Sequence, residues 1–322
     1  MRNTFGNKFR ITIFGASHET VIGVYIQGIP VGYMLDEKEL QKEIDRRKPT
    51  NKWTTPRKEK DIPDVSYYDD IMTITFRNEN ISDKDYTPFL DTPRPSHADY
   101  VQMNKYEHAD ILGGGISSGR MTLPIVAAGF VAKDIIKRYY AKNIKFKSEI
   151  LSIGGEKVKS AQHKVLDYCY ERGNSVGASI QCIVKNPPKF IGDPFFDGVE
   201  SMISHLMFSI PGIKAIEFGD GVECATKYGS QRNDVFIDSE GHTKTNNEGG
   251  INGGITNGND LIVKVHAKPT PSIASKQKTY NFKTNEMTTL EISGRHDICF
   301  ALRIPVVIES VVAICLLNGC LE

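Results

Sequence analysis

The most informative segment of the chain begins with the glycine-rich stretch Gly249-Gly250-Ile251-Asn252-Gly253-Gly254-Ile255-Thr256-Asn257-Gly258. The apolar run Leu261-Ile262-Val263-Lys264-Val265 follows it. Glycines let backbone N–H groups approach an anion, and the apolar run after them is typical of a β-strand. The chain continues through Lys268-Pro269-Thr270-Pro271-Ser272-Ile273 to Gly294-Arg295-His296-Asp297. An arginine, a histidine and a carboxylate together supply anion recognition and proton transfer. Residues 249–297 therefore indicate a phosphorylated ligand and acid–base chemistry.

The composition excludes several classes of partner. The 322 residues contain 40 lysines and arginines against 39 aspartates and glutamates, so no overall basic charge favours nucleic acid. No apolar run reaches membrane-spanning length, and the N-terminus has no signal-peptide core. The six cysteines are scattered without metal-ligand or redox spacing. We therefore expect a cytoplasmic protein that binds neither nucleic acid nor membranes, with a purely local anion site.

Hydrophobic periodicity predicts a mixed chain of helices and strands. Strands are predicted at residues 9–14, 21–27, 71–76, 144–150, 178–184, 213–218 and 261–265. Helices are predicted after the N-cap Asp36 and at residues 124–140, 164–171, 197–208 and 305–317. Residues 48–69 are charged and contain prolines, which predicts a long loop. No repeat or low-complexity linker divides the chain, so residues 1–322 are expected to form one α+β domain.

Two histidines stand in positions suited to catalysis. His18 follows Ser17 in a turn between two predicted strands, and side chains in such turns often face a cleft. His97 follows Pro95, and Asp99 is placed either to orient the imidazole or to cap a turn. Taken singly, a histidine in such a position is more often a surface or capping residue than a catalytic one.

Two segments are candidate anion sites. The cluster Arg46-Arg47-Lys48, with Lys52 and Arg57 beyond it, either binds phosphate or carboxylate groups or is a solvated helix end. Gly113-Gly114-Gly115-Ile116-Ser117-Ser118-Gly119-Arg120 precedes a predicted helix, and glycines with two hydroxyls at a helix start form an anion seat. This second segment matches neither the Walker loop nor the dinucleotide fingerprint, and a plain flexible loop is the alternative.

The histidine spacing argues against a metal centre. The eight histidines include no HxxxH pair, and His296 lacks the context of a zinc ligand. We expect no metal site, which disfavours a metal-dependent phosphohydrolase.

Taken together, these segments resemble the chorismate synthase family nearly from end to end. The matching motifs, in chain order, are Phe14-Gly15-Ala16-Ser17-His18, Asp45-Arg46-Arg47, Arg94-Pro95-Ser96-His97-Ala98-Asp99-Tyr100, Gly113-Gly114-Gly115, Ser117-Ser118, residues 249–258, residues 268–273 and Gly294-Arg295-His296-Asp297. The resemblance implies a lyase of the shikimate pathway to the aromatic amino acids. Its reaction is the anti-1,4-elimination of phosphate from 5-enolpyruvylshikimate 3-phosphate. It also implies dependence on reduced FMN, a homotetramer, and a β-α-β sandwich with helices layered between two antiparallel sheets. Whether the protein reduces FMN itself, for example with NADPH, stays open.

The resemblance also assigns expected roles to residues of this chain. His18 would protonate or hold the reduced flavin, His97 would be the acid to the departing phosphate, and Asp297 would help take the C6 proton. Residues expected to bind substrate or other anions are Arg46, Arg47, Lys52 and Arg120. Residues expected to bind FMN are Ser117, Ser118, Pro211, Gly212, Gly253, Lys268, Pro269, Thr270, Pro271, Ser272 and Arg295, the last also as a holder of anions.

This chain departs from the family pattern at several positions. The family carries arginine where this chain has Leu112, Ile116 and Ile125. It carries glutamate where this chain has Met121 and glycine where this chain has Glu19. An Asn-Ala pair stands in the family in place of Pro211-Gly212, and the family's segment after Arg57 is longer. Each lost charge-assisted contact to a phosphate would cost about 1.5–3 kcal/mol if nothing replaced it. The departures leave a second hypothesis, a non-catalytic relative that keeps the fold and binds an anionic small molecule or a partner subunit.

Overall fold

The computed structural model describes residues 2–55, 59–79, 86–293 and 296–321. Its strands are β1 (Thr4–Phe5), β2 (Arg10–Phe14), β3 (Val21–Gln27), β4 (Asp64–Tyr68), β5 (Ile71–Arg77), β6 (Lys145–Ile153), β7 (Ala178–Lys185), β8 (Ile213–Phe218), β9 (Ile251–Asn252), β10 (Ile255–Thr256), β11 (Leu261–Ala267), β12 (Gln277–Asn281) and β13 (Glu286–Leu290). Its α-helices are α1 (Glu37–Asp45), α2 (Pro88–Asp91), α3 (Asp99–Lys105), α4 (Thr122–Tyr139), α5 (Lys159–Glu171), α6 (Val199–Met207), α7 (Gly229–Arg232) and α8 (Pro305–Leu321). Short 3₁₀ segments lie at Leu112–Ser117, Gly119–Met121, Gly221–Thr226 and Phe300–Arg303.

The first sheet contains the N-terminal strands in the order β1-β2-β3-β5-β4, with every pair antiparallel. Strand β5 alternates strictly, with Met72, Ile74 and Phe76 buried on one face. That face packs on α4, which contacts β2, β3 and β5. The period of two that predicts a half-buried strand therefore also determines which face meets the helix layer.

The second sheet is built around the strand of the opening stretch, in the order β6-β7-β11-β8 and again antiparallel throughout. In β11 the side chains of Leu261, Val263 and Val265 are buried. Helix α8 packs against β6 and β7, and α6 packs against α8 and β8.

Helices α4 and α8 pack against each other and join the two sheets. They approach closely at Gly129, where a Cβ would lie 2.5 Å from the Cα of Ser310. Nearly every side chain of α8 is buried, so this helix forms the centre of the molecule. The layers run sheet, helix, helix, sheet, which confirms the expected α+β sandwich with helices between two antiparallel sheets.

The structure differs from the sequence-based assignment mainly at polar elements. Residues 48–69 are not entirely loop, because β4 pairs with β5 within this segment. Strand β4 is mostly exposed, so it carries no apolar alternation to reveal it. The sequence patterns also failed to predict the hairpin of β12 and β13 and the helix α3. Within the described ranges no helix is long and apolar enough to cross a bilayer.

Candidate active site

A cavity of about 960 Å³ brings most of the predicted site residues together. The three predicted catalytic residues His18, His97 and Asp297 all line it. So do these residues predicted to bind substrate or cofactor: Arg47, Arg120, Ser117, Ser118, Pro211, Gly212, Lys268, Pro269, Thr270, Pro271 and Ser272. Segments more than 250 residues apart in sequence therefore converge on one space.

Three predicted binding residues do not line this cavity. The Arg46 guanidinium donates to Glu309 at 2.8 Å and to Glu43 at 2.8 Å. Lys52 pairs with Asp167 at 2.6 Å and lines a neighbouring cavity of about 620 Å³. Gly253 lies between β9 and β10, and a Cβ there would meet no atom within 4 Å among the described residues. Arg295 lies outside the described residues.

His18 lies against the glycine triplet. Gly113 has a left-handed φ of 57°, and a Cβ at this position would collide with His18 Nε2 and lie 2.8 Å from Ser17 Oγ. A Cβ at Gly114 would lie 3.5 Å from Cε1 of His97. Since consecutive Cα atoms are about 3.8 Å apart, the two histidines border adjacent positions of one glycine turn. The turn thus gives both imidazoles access to the same space.

His97 belongs to a chain of buried charged groups. Its Nδ1 lies 2.6 Å from Asp99 Oδ1, and Arg94 donates to both oxygens of the same carboxylate at 2.7 Å. Burial raises the pKa of Asp99, but the hydrogen bonds from Arg94 and His97 outweigh it and hold the pKa well below its usual range. An ionised carboxylate only accepts hydrogen bonds, so Nδ1 of His97 carries the proton. This leaves Nε2 as the ring nitrogen available for exchange with a ligand.

Asp297 is held from two sides. Its Oδ1 accepts from the backbone N–H of Thr55 at 2.7 Å, and its Oδ2 accepts from Arg303 Nη1 at 3.3 Å. The carboxylate is largely buried, with 13% of the side chain exposed. Arg303 also donates from Nε to the carbonyl of Arg47 at 3.2 Å. These contacts connect the C-terminal motif to the segment that follows α1.

A buried cationic cluster forms another part of the wall. Arg47 donates from Nη2 to Asp61 Oδ2 at 3.3 Å, and Arg120 donates from Nη1 to Asp61 Oδ1. Arg120 Nε donates to Asn78 Oδ1 at 2.9 Å. Burial, together with repulsion from Arg303, lowers the pKa of Arg47 to about 9, although Asp61 acts in the opposite direction.

Several polar atoms on the cavity wall are buried without a hydrogen-bond partner among the described residues. They are Ser17 Oγ, Arg47 Nε, Arg120 Nη2, Thr270 Oγ1 and His296 Nε2. Buried polar groups are nearly always paired, so a cluster of exceptions around one space indicates a site built for a polar ligand. Two of the atoms are cationic N–H donors, which suit an anion.

Sequence reasoning missed several residues that shape the cavity. Asp61 and Arg303 lie in the charged cluster that lines the cavity, yet neither belongs to a recognised motif. Arg303 is the one charged residue in Phe300-Ala301-Leu302-Arg303-Ile304, and that isolation was an available signal. Asp61 follows a run of charged residues and gave none. The sequence indicated half-buried His296 only as part of a motif, and its partial burial and the nearby Arg94 lower its pKa.

Five of the departures from the family pattern lie away from this wall, whereas Pro211 and Gly212 line the cavity. Met121 and Ile125 are buried in the hydrophobic core, one turn apart on the start of α4. The family's glutamate and arginine at these positions are both replaced by apolar residues, so no single buried charge is left uncompensated. Leu112, Ile116 and Glu19 are not among the described residues that line the cavity.

No cluster of three or more potential metal ligands occurs among the residues that the structure describes. The fold and the cavity define an α+β protein with imidazole, carboxylate and unpaired guanidinium groups around one cavity. The sequence matches the chorismate synthase family over residues 9–321. A chorismate synthase from Chitinophaga pinensis is 43% identical over 322 residues, which cover 98% of this chain and 95% of that one.

Other relatives agree. A chorismate synthase from Aliarcobacter butzleri is 40% identical, covering 98% of this chain and 94% of the relative, and one from Methanobrevibacter smithii is 36% identical, covering 98% and 95%. A crystal structure of chorismate synthase superposes with a TM-score of 0.74 at 24% identity, covering 99% of this chain and 93% of that one, and supports the fold. The chain belongs to the chorismate synthase family.

Proposed function

We propose that this protein is a lyase that eliminates phosphate from 5-enolpyruvylshikimate 3-phosphate to give chorismate in the shikimate pathway. The observation that carries the proposal is the single cavity, in which the predicted acid, the predicted base and unpaired arginine donors line one space. The substrate is an anion with a phosphate and two carboxylates, which matches the cationic wall formed by Arg47 and Arg120. Arg46 and Lys52 stay predictions as anion ligands.

The cofactor is proposed to be reduced FMN, and the cavity wall suits it. When bound, reduced FMN supplies electron density as the C–O bond to phosphate breaks and recovers it when the C6 hydrogen leaves. Ser117, Ser118 and the turn at Pro211-Gly212 would hold it together with Lys268, Pro269, Thr270, Pro271 and Ser272. Thr270 Oγ1 is a buried hydroxyl with no described partner, and the Gly113 turn leaves open the space that a side chain would fill. Gly253 and Arg295 stay predictions as FMN ligands.

His97 is proposed to donate a proton to the departing phosphate. Its Nδ1–H is held by Asp99, so Nε2 is the atom that gives the proton. Because the pKa of Asp99 is held low, its carboxylate stays ionised and stabilises the protonated imidazole. General acid assistance of this kind contributes about 10²–10⁴-fold to rate.

Asp297 and His18 are proposed to complete the proton chemistry. The contacts from Thr55 and Arg303 fix the carboxylate of Asp297, which prepares it to help take the C6 proton. His18, against Gly113 and edge-on to the ring of Tyr86, would hold or protonate the reduced flavin. Both side chains are in contact with neighbouring residues that restrict their positions.

The remaining proposals concern organisation. We propose that residues 1–322 form one domain, which is supported by a hydrophobic core that runs through both sheets and the helices between them. We propose a cytoplasmic homotetramer on the basis of family membership. An assay with oxidised FMN and NADPH tests whether NADPH reduces the flavin.

The deciding experiment is an anaerobic assay with purified protein, chemically reduced FMN and 5-enolpyruvylshikimate 3-phosphate. Stoichiometric release of chorismate and phosphate is the expected result. A parallel assay with oxidised FMN and NADPH tests whether the protein reduces its own flavin. Absence of product at high enzyme concentration, with no flavin binding in a fluorescence titration, would overturn the proposal and leave the non-catalytic relative.

A further inference from the structure

Asp61 occupies a strained and buried position beside the cavity. Only 4% of the residue is exposed, and its φ of 51° is in the left-handed region. Residues other than glycine seldom adopt that region, and those that do concentrate at functional sites. Its backbone carbonyl accepts from Gln41 Nε2 at 3.4 Å, which anchors the segment to α1.

The two oxygens of Asp61 are divided between two arginines. Oδ2 accepts from Arg47 Nη2 at 3.3 Å and Oδ1 accepts from Arg120 Nη1. Both guanidinium groups are buried, and they come from opposite sides, Arg47 from the end of α1 and Arg120 from the 3₁₀ turn before α4. Without the carboxylate between them, two buried positive charges would repel each other.

Each arginine keeps a donor that Asp61 does not use. Arg47 Nε and Arg120 Nη2 are buried and have no hydrogen-bond partner in the described parts of the chain. Leaving a buried donor unpaired is unfavourable, and more so when the donor is charged, so both donors are suited to an incoming anion.

On the basis of the proposed function, we infer that Asp61 is a positioning residue for substrate binding: it holds Arg47 and Arg120 together so that their unused N–H groups bind one anionic group of the substrate. Asp61 does not touch the reacting atoms. It acts by fixing two guanidinium groups and by offsetting their charge.

The charges around Arg47 predict the effect of removing Asp61. Arg303 and Arg120 repel the Arg47 charge, and Asp61 attracts it. Without the Asp61 carboxylate this repulsion is unopposed, so the unused donors of Arg47 and Arg120 are no longer held around one anion and substrate binding weakens.

The test compares Asp61→Asn with a matched control, Asp220→Asn. Asp220 also holds two cations, Lys227 and Arg232 at 3.1 Å each, but does not line the cavity. For Asp61→Asn we expect the substrate KM to rise about 10- to 100-fold at neutral pH, with a smaller change in kcat. Asp220→Asn should keep the wild-type KM.

Two further measurements test the inference. Asp61→Glu retains the charge, so its KM should lie between those of the wild type and Asp61→Asn; it also replaces Asp61→Asn if that variant does not fold. Dissociation constants for inorganic phosphate, measured without turnover, decide the question even if the wild type forms no chorismate. A wild-type KM and phosphate affinity in folded Asp61→Asn would overturn the inference. So would a KM for Asp61→Glu as high as that of Asp61→Asn.

Discussion

At the scale of single residues, the site depends on how the charge of each side chain is held. The hydrogen bond of 2.6 Å between His97 Nδ1 and Asp99 decides which nitrogen faces the ligand. Arg94 holds Asp99 in turn, through both oxygens and through its own backbone N–H at 3.2 Å. A histidine fixed in this way is an oriented acid rather than a freely rotating ring.

Replacing His97 with alanine tests this orientation. We expect kcat to fall about 10²–10⁴-fold while the substrate dissociation constant changes little, because the anion contacts come from other residues. His242→Ala is the matched control, since His242 also bonds an aspartate at 2.6 Å but does so outside the cavity. Chorismate and phosphate release measure both variants. A loss of less than threefold for His97→Ala would exclude it as the acid.

The depressed pKa of Asp99 makes stability depend on pH. A carboxylate whose pKa is lower in the folded than in the unfolded state stabilises the fold above its ordinary pKa of about 3.9, and this contribution is lost as pH falls towards the folded value. The difference in free energy of unfolding between wild type and Asp99→Asn should therefore be larger at about pH 6 than at about pH 3. Urea denaturation at both pH values measures it, and an equal difference would contradict the assignment.

At this scale the sequence located the candidate proton-transfer residues of the cavity but not the residues that hold them. His18, His97 and Asp297 belong to local motifs, so their types and neighbours were readable along the chain. Asp61 acts through Arg47 and Arg120, which lie 14 and 59 positions away. Such pairings depend on tertiary contacts, and residue order alone does not contain them.

At the scale of elements, the glycine turn before α4 requires its residue type for two reasons. Gly113 combines a positive φ of 57° with the close approach of His18 and Ser17. The glycine-rich pattern predicted either an anion seat or a flexible loop, and the steric contacts favour a shaped seat.

Gly113→Ala is expected to abolish most activity and weaken FMN binding, because its methyl group must displace His18. Gly155→Ala separates this collision from backbone strain. Gly155 also has a positive φ, of 88°, but a Cβ there meets no described atom within 4 Å. Both variants pay about 1–2 kcal/mol for the left-handed backbone. Flavin titration and turnover should therefore distinguish them, and equal behaviour would show that strain alone matters.

Elements with a buried face were predictable, whereas those without one were not. The α1 helix begins after its predicted N-cap Asp36, which accepts from Lys38 and Glu39 N–H groups at 3.0 and 3.1 Å. Strand β8 runs over the predicted residues 213–218. Strand β4 and the β12–β13 hairpin are stabilised chiefly by pairing with neighbours, and that pairing leaves little hydrophobic pattern.

At the scale of the whole molecule, a buried ionic cluster ties the layers together. Glu309 of α8 is 1% exposed and accepts from Arg46, from Lys133 of α4 at 2.8 Å and from the Ser148 N–H of β6 at 3.0 Å. Burial raises the pKa of Glu309, but these cations outweigh it and lower the pKa. In this structure Arg46 therefore connects α1 to the central helix.

Substituting Glu309 with glutamine should destabilise the fold strongly. Removing one partner from a buried ionic group leaves uncompensated charge and typically costs about 3–5 kcal/mol. The free energy of unfolding in urea measures the loss. The double variant Glu309→Met with Lys133→Met should recover part of the loss seen in Glu309→Met alone. If the double variant is no more stable than the single one, the charge argument is wrong.

The layered architecture followed from the family resemblance and not from periodicity. Local patterns located α4 and α8, but nothing in their sequences states that they face each other across Gly129 and Ser310. Sheet order is likewise a property of long-range pairing, such as β11 lying between β7 and β8.

Thr55, which donates its N–H to Asp297, is two residues from Trp53, the chain's single tryptophan. The Trp53 carbonyl accepts from the Ile298 N–H at 2.9 Å, directly beside Asp297, and its indole N–H donates to Asp167 at 2.9 Å. All of the protein's tryptophan emission therefore originates from a residue whose backbone is hydrogen-bonded next to Asp297. Its intensity should report ligand occupancy in real time without any attached dye, which makes stopped-flow measurement possible on the unmodified chain.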